Sequence, residues 1–473
     1  MREYLKFYID GQWVAPSTPK TAEVINPATE AVSGRISLGS AADVDKAVAA
    51  AKKAFASWSQ TTREQRLDVL QSIQAEYAKR QTEIGDAIME EMGAPSGLAQ
   101  GFHTALGAGH LATAIEVLKE FKFSEQRGAT LIAKEPIGVC ALITPWNWPM
   151  NQIAVKVFPA LATGCTMILK PPQLAPYSAQ IFAEILDKAG VPKGVFNMLQ
   201  GSGAVIGTAL STHPDVDLIS FTGSEGVGVE IAKNAAPGVK RVCQELGGKS
   251  AFVVLDDADL AKNVASATSS MMINSGQTCS AGSRLLVPKK RMAEALEAAK
   301  AAAEGVTVGD PKGNVAMGPV VSKAQYNIIQ EYIETGVGEG AKIVAGGAGR
   351  PEGLSKGWYV KPTVFGNVSN SMRIAREEIF GPVLVVIGYD DVDDAVAIAN
   401  DSDFGLAGYV NGADAAACNA VARRMRTGWI SINGGYDFHA PFGGYKKSGN
   451  GREWGEFGFH EYLEVKSMLG YAP

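Results

Sequence analysis

"LISFTGSEGVGVEIAKNA", Leu218 to Ala235, is the stretch on which the fold turns. An apolar run ends at Phe221, Gly223 lets the backbone turn and approach a ligand closely, and Ser224 stands where it can cap a helix beginning near Glu225. Ligands of open α/β sheets bind at the carboxyl ends of strands, beside helix N-termini. The glycines Gly223, Gly226 and Gly228 do not make the G-x-G-x-x-G spacing, so the stretch alone is also readable as a plain strand–turn–helix corner.

The same rhythm runs outward from it. "GVCALITP", "CTMILKPP" and "GVFNMLQG" are short apolar runs ended by Pro or Gly, separated by amphipathic stretches such as "SAQIFAEILDKAG". After the midpoint, "SAFVVLDD", "SRLLVPKK", "AKIVAGG", "PVLVVIGY" and "GWISIN" alternate with Ala-rich helical segments. Strands alternating with helices give βαβ units and a mostly parallel sheet covered on both faces. The chain therefore reads as two α/β domains meeting near "ELGGKS", preceded by a hairpin at "FYIDGQWV" and by helices over "DVDKAVAAAKKAFASW" and from Arg63 to Met92. "GATLIAKEPIG" and "EYLEVKSMLGY" are strand-like and fit neither domain; an edge strand invites pairing with another chain, so they are expected to make oligomer contacts, or else to be a surface hairpin and a frayed tail.

At 473 residues the chain is long enough for two or three units of about 150 residues each. A net charge of −5, with no basic block, speaks against nucleic acid or an anionic membrane as partner. The opening "MREYLKFYIDGQW" has no apolar core of a signal peptide, and no stretch is apolar enough for a membrane span. Five scattered cysteines do not make a disulfide framework, and a reducing cytoplasm is the expected compartment. No C-x-x-C or H-E-x-x-H is present, so no metal is expected.

Cys279 differs from the other four cysteines. In "SGQTCSAGSR" its neighbours Gly276, Thr278, Ser280 and Gly282 are small or polar, where a packed cysteine would have apolar ones. Such a setting lets an electrophile reach sulfur. Glu245, at a strand end beside two glycines, is placed to swing as a general base, though as a surface glutamate it would mean nothing. Asn147, between Trp146 and Trp148, is an amide donor in an apolar setting and suits an oxyanion. Lys170, closing "TMILKPPQ", can meet a ribose or phosphate, or simply be solvated. Gly353 to Gly357 matches G-x-S-x-G but precedes a strand, so it is not a nucleophile elbow.

"PWNWP", "LKPP", "FTGSEGVG", "ELGGKS", "GQTCSAGSR", "EEIFGPV" and "PFGGYKKSGNGRE", in that order over essentially the whole chain, resemble the aldehyde dehydrogenase superfamily. The resemblance implies a Rossmann-like cofactor domain (1–117 and 138–247), an α/β catalytic domain (248–447) and a small β oligomerisation flap (118–137 and 462–473) of a dimer or tetramer. It makes Cys279 the nucleophile, Asn147 the oxyanion donor, Glu245 the base for hydrolysis and Glu453 a proton relay. Cofactor contacts are implied at Ile143, Thr144, Pro145, Trp146, Lys170, Gln173, Gly223, Ser224, Val227, Leu246, Glu378 and Phe380. Trp148, Gln152, Val155, Thr278 and Ser280 are implied to line the channel for the aldehyde, expected to be mainly apolar.

One departure bears on the cofactor. Many NAD-preferring relatives carry Glu where this chain has Gln173, and a neutral amide repels a 2′-phosphate less. NAD or NADP, with dual use, is therefore expected. A CoA-acylating relative would typically lack the carboxylate matching Glu245, and a non-enzymatic scaffold would not need the set Cys279, Asn147 and Glu245.

Overall fold

In a computed structural model, which describes residues 1–472, the apolar runs become strands and the amphipathic stretches become their covering helices. Val139–Ile143, Thr166–Lys170, Phe196–Met198, Leu218–Thr222 and Arg241–Glu245 are buried throughout or nearly so and pair in parallel. Along strand Val139–Ile143, Cys140 and Leu142 pack into one apolar layer while Val139, Ala141 and Ile143 pack into the opposite one. Burial on both faces follows from the run being apolar without alternation.

These strands stand in the order Arg241–Glu245, Leu218–Thr222, Val139–Ile143, Thr166–Lys170, Phe196–Met198. The order reverses between Val139–Ile143 and Leu218–Thr222, which opens a crevice at their carboxyl ends. The hairpin Phe7–Ile9 and Gln12–Val14 extends one side of this sheet, its turn carried by Asp10 and Gly11 in left-handed backbone. The short strand Gly449–Asn450 closes the other side, antiparallel to Arg241–Glu245. Residues just beyond the expected 248–447 segment thus return to the first sheet.

A second sheet is built the same way. Its order is Lys342–Ala345, Thr363–Gly366, Val383–Tyr389, Arg284–Pro288, Ala251–Val254, Ala407–Asn411, Trp429–Ile432, and only the first strand is antiparallel. The chain crosses from one sheet to the other between Glu245 and Ala251, at "ELGGKS".

The two strand-like segments assigned to neither domain are partners of each other. Thr130–Pro136 pairs along its length with Leu463–Leu469 on one side and with Ser124–Arg127 on the other. Among the described residues both outer edges of this small antiparallel sheet are unpaired, and Val465 and Leu469 stand 66% and 82% exposed. The last residue of the 462–473 segment, Pro473, lies outside the described residues. The helices follow their sequence signals closely: Arg63–Met92 opens with a Thr62/Gln65 capping box and ends at Gly93 in left-handed backbone.

Candidate active site

Two cavities meet at one sulfur. A groove of about 290 Å³ lies in the crevice of the first sheet, lined by Pro145, Trp146, Asn147, Thr222, Gly223, Ser224, Leu246, Glu378, Phe380 and Cys279. A funnel of about 520 Å³ reaches the other side of Cys279 through Trp148, Gln152, Thr278, Ser280 and a wall of aromatic rings. Cys279 is partly exposed, whereas the other four cysteines are buried.

The loop that presents Cys279 is tightly built. After helix Leu260–Met272 the backbone turns left-handed at Asn274, Ser275 and Gly276, with φ of 55°, 56° and 70°. At Gly276 a β-carbon would come within 2.2 Å of the Gly381 carbonyl oxygen, so only glycine fits. The Gln277 side chain then donates to the Asn274 carbonyl and accepts from the Val321 amide, both at 2.9 Å. Asn147 is buried, and its Nδ2 donates to the Gln277 carbonyl at 3.1 Å. An N–H₂ carries two hydrogens, so one remains for a ligand.

Burial pushes the Cys279 thiol up from its ordinary range, and the charges of Glu378 and Glu245 push the same way; the backbone amides of Ser280 and Cys279 oppose them. The sulfur is thus not held as a thiolate by its protein surroundings alone. Glu245 ends strand Arg241–Glu245, but its carboxylate lines neither cavity. It occupies a small enclosed pocket with Ser220, Cys243, Arg452 and Glu453, where neither of its oxygens finds a partner among the described residues. Burial, and then the neighbouring charge of Glu453, raises its pKa well above the usual carboxylate range. Gly443 leaves the carboxylate its room, since a β-carbon there would come 2.8 Å from Glu245 Oε1. Glu453 accepts from Lys156 Nζ at 2.5 Å, and the same ammonium donates to Ser220 Oγ at 2.9 Å.

The groove has the features of a dinucleotide site. Helix Glu225–Ala235 points its N-terminus into it, and Ser224 stands at the N-cap position but makes no capping hydrogen bond, contrary to the capping role expected of it. The first-turn amides therefore keep their donors for an anion. The hydroxyls of Thr144 and Thr222, at the ends of the two strands flanking the crevice, are buried and find no partner among the described residues. Leu246 packs under the helix where Gly228 allows it; a β-carbon at Gly228 would come 2.7 Å from Leu246 Cδ2. Val227 stands 44% exposed on the first turn. Opposite, Phe380 holds a left-handed backbone (φ 55°), packs edge-on against Trp146 at 5.4 Å and accepts a hydrogen bond from Gln325 at 2.9 Å. Glu378 accepts from the Gly248 amide at 2.9 Å, and burial raises its pKa to about 7.

Ile143 is a buried strand end. Lys170 and Gln173 lie outside the groove lining. The Lys170 ammonium donates to the Pro171 carbonyl at 3.0 Å and burial lowers its pKa to about 8, while Gln173 is half-buried.

In the funnel, Trp148 Nε1 donates to Thr278 Oγ1 at 3.0 Å and its ring stacks on His103 at 4.3 Å. Val155, one turn beyond Gln152 on helix Pro149–Thr163, lines the enclosed pocket of Glu245 and Glu453 and is not among the residues lining the funnel. Sequence reasoning also missed most of the wall, formed by Phe102, Phe252, Tyr409, Trp429, Phe442 and Trp454. These aromatics come from well-separated segments, and no local pattern brings them together.

The sequence profile of the aldehyde dehydrogenase family matches residues 13–468. The chain belongs to the aldehyde dehydrogenase family. It is an oxidoreductase that takes an aldehyde to its carboxylic acid, with hydride passing to a nicotinamide dinucleotide. Among relatives of this aldehyde dehydrogenase, 3-succinoylsemialdehyde-pyridine dehydrogenase of a Pseudomonas species is 51% identical over all of this chain and 99% of its own length. A cysteine-to-alanine variant of aldehyde dehydrogenase C from Pseudomonas syringae, solved with NAD+ and octanal, is 50% identical with a TM-score of 0.98, covering 99% of this chain and 97% of that one. An aldehyde dehydrogenase from Bartonella henselae, 46% identical, superposes over the full length of both chains with a TM-score of 0.98. Among the described residues no helix is long and apolar enough to cross a membrane, and no cluster of His, Cys, Asp and Glu is arranged to hold a metal ion.

Proposed function

We propose that this aldehyde dehydrogenase oxidises uncharged aldehydes with aromatic or long apolar tails, Cys279 being the nucleophile. The observation that carries this reading is the funnel: it ends on Cys279, is walled by aromatic rings, and none of its lining side chains bears a charge. A substrate carboxylate would be desolvated there without a partner. The Pseudomonas relative, named for a pyridine-bearing semialdehyde, and the relative solved with octanal support an aromatic or alkyl tail.

The chemistry follows from the placement of the groups. Cys279 first gives up its thiol proton to water; its sulfur then bonds to the carbonyl carbon, and the oxygen takes up the negative charge beside the second N–H of Asn147 and the Cys279 amide. The groove that Cys279 lines would hold the oxidised dinucleotide, which would supply the hydride acceptor. Loss of hydride from the tetrahedral carbon leaves a thioester on Cys279. Glu245 turns out of its enclosed pocket to take a proton from water, which cleaves the thioester and releases the acid. Glu453, which shares that pocket, takes the proton on from Glu245, and the absence of a partner for the Glu245 carboxylate among the described residues leaves it free to turn.

Ser224 and the helix amides hold the pyrophosphate, Glu378 holds the nicotinamide ribose, and Lys170 reaches the adenosine ribose after leaving Pro171. NAD+ is bound in the relative solved with octanal, which supports NAD here, and the neutral Gln173 adds NADP. The unpaired edges of the flap join copies of the chain into a homo-oligomer.

A panel of alkyl, aryl and carboxylate-bearing aldehydes, assayed with both cofactors, tests the reading. Octanal and an aryl aldehyde are expected to exceed a carboxylated semialdehyde in kcat/KM by at least about tenfold, the cost of burying an unpaired charge. A preferred carboxylated substrate would overturn the substrate class, and a strong preference for one cofactor would overturn dual use.

A further inference from the structure

The oxyanion amide is held in place by a second asparagine. Asn274 is buried, and its Nδ2 donates to two carbonyl oxygens: that of Asn147 at 2.8 Å and that of Gln277 at 3.3 Å. The Gln277 oxygen is the same atom that accepts from Asn147 Nδ2. One side chain therefore ties the Trp146–Trp148 loop of the first sheet to the cysteine loop of the second, and fixes the acceptor that sets the rotation of the Asn147 amide. Two carbonyl acceptors facing one amide group demand its nitrogen, which settles the orientation of the Asn274 side chain. Its Oδ1 faces the buried His103 side chain, so the two carbonyls are held by the donor face.

The residue type suits the place. Asn274 opens the left-handed run with φ 55°, a region that asparagine enters more readily than other side chains apart from glycine. The run is tied down further by Ser275, whose hydroxyl donates to the Gly318 carbonyl at 2.9 Å. With one Asn147 hydrogen committed to Gln277, the second is aimed by construction, and donors that are already aimed are what stabilise a developing oxyanion.

We propose that Asn274 is a positioning residue for the oxyanion amide of Asn147, acting through the shared Gln277 carbonyl and the Asn147 backbone. The inference rests on the reading of Asn147 given above.

The experiment follows reduced cofactor in a single turnover with octanal and NAD. Asn274→Gly keeps the left-handed backbone and removes the amide; Asn274→Asp keeps the shape and sets acceptors against two carbonyls. Either variant is expected to slow hydride transfer roughly tenfold, less than the ~100-fold expected for deleting a donor in Asn147→Ala. KM for NAD and the rate of Cys279 alkylation by iodoacetamide should stay within about twofold, and Asn147→Ala/Asn274→Gly should be no slower than Asn147→Ala.

Wild-type transfer rates in Asn274→Gly would overturn the inference. So would losses that multiply in the double variant, or alkylation slowing in step with turnover, which would mean a displaced cysteine loop. Should Asn274→Gly not fold, Asn274→Asp decides on the same readouts. An unimpaired Asn147→Ala would instead overturn the role of Asn147 itself.

Discussion

At the scale of single residues, the two groups proposed to do the chemistry are held in unreactive, protonated states and released by deprotonation. The Cys279 thiol and the Glu245 carboxyl both have raised pKa values, each chiefly through burial. A raised pKa keeps either group protonated to higher pH, and only the deprotonated form attacks carbon or accepts a proton from water. Both acylation and deacylation should therefore quicken as pH rises. Glu245→Gln separates them: the first turnover keeps its pH-dependent rate, while the steady state falls by at least about a hundredfold and loses its own pH dependence. A steady state near wild type would contradict the role of Glu245. Cys279 was legible in the sequence because its small neighbours are a local signal. Asn274 and Gln277 were not, since their contacts arise from a left-handed turn and from backbone groups distant along the chain, the Asn147 carbonyl and the Val321 amide.

Strands, helices and turns were legible wherever apolar periodicity is strong and punctuation clear. Strand Leu218–Thr222, the glycine turn and helix Glu225–Ala235 stand where the pattern placed them. Periodicity could not show that Thr130–Pro136 and Leu463–Leu469 pair with each other, because they are separated by most of the chain. Nor could it show which residues of helix Pro149–Thr163 line the funnel and which, like Val155, line the pocket of Glu245. The flap carries its own prediction. Its last strand alternates a charged set, Glu464 and Lys466, with the exposed Val465, and leaves a free edge. A chain ending at Glu461 is expected to sediment as a smaller species than the full chain; an unchanged assembly would remove the flap from the interface.

Across the whole molecule, function depends on two sheets bringing their strand ends together. The first contributes the crevice, Asn147 and the helix N-terminus; the second contributes the cysteine loop, Glu378 and most of the aromatic wall. Cys279 lines both cavities, so on the proposed reading an aldehyde entering by one would meet a cofactor held in the other. The most direct test traps the covalent intermediate. Glu245→Gln, mixed with octanal and NAD, should gain one acyl group by intact mass, and peptide mapping should place it on Cys279 as a thioester. Absence of an adduct alongside reduced cofactor, or its appearance on any other residue, would contradict the account.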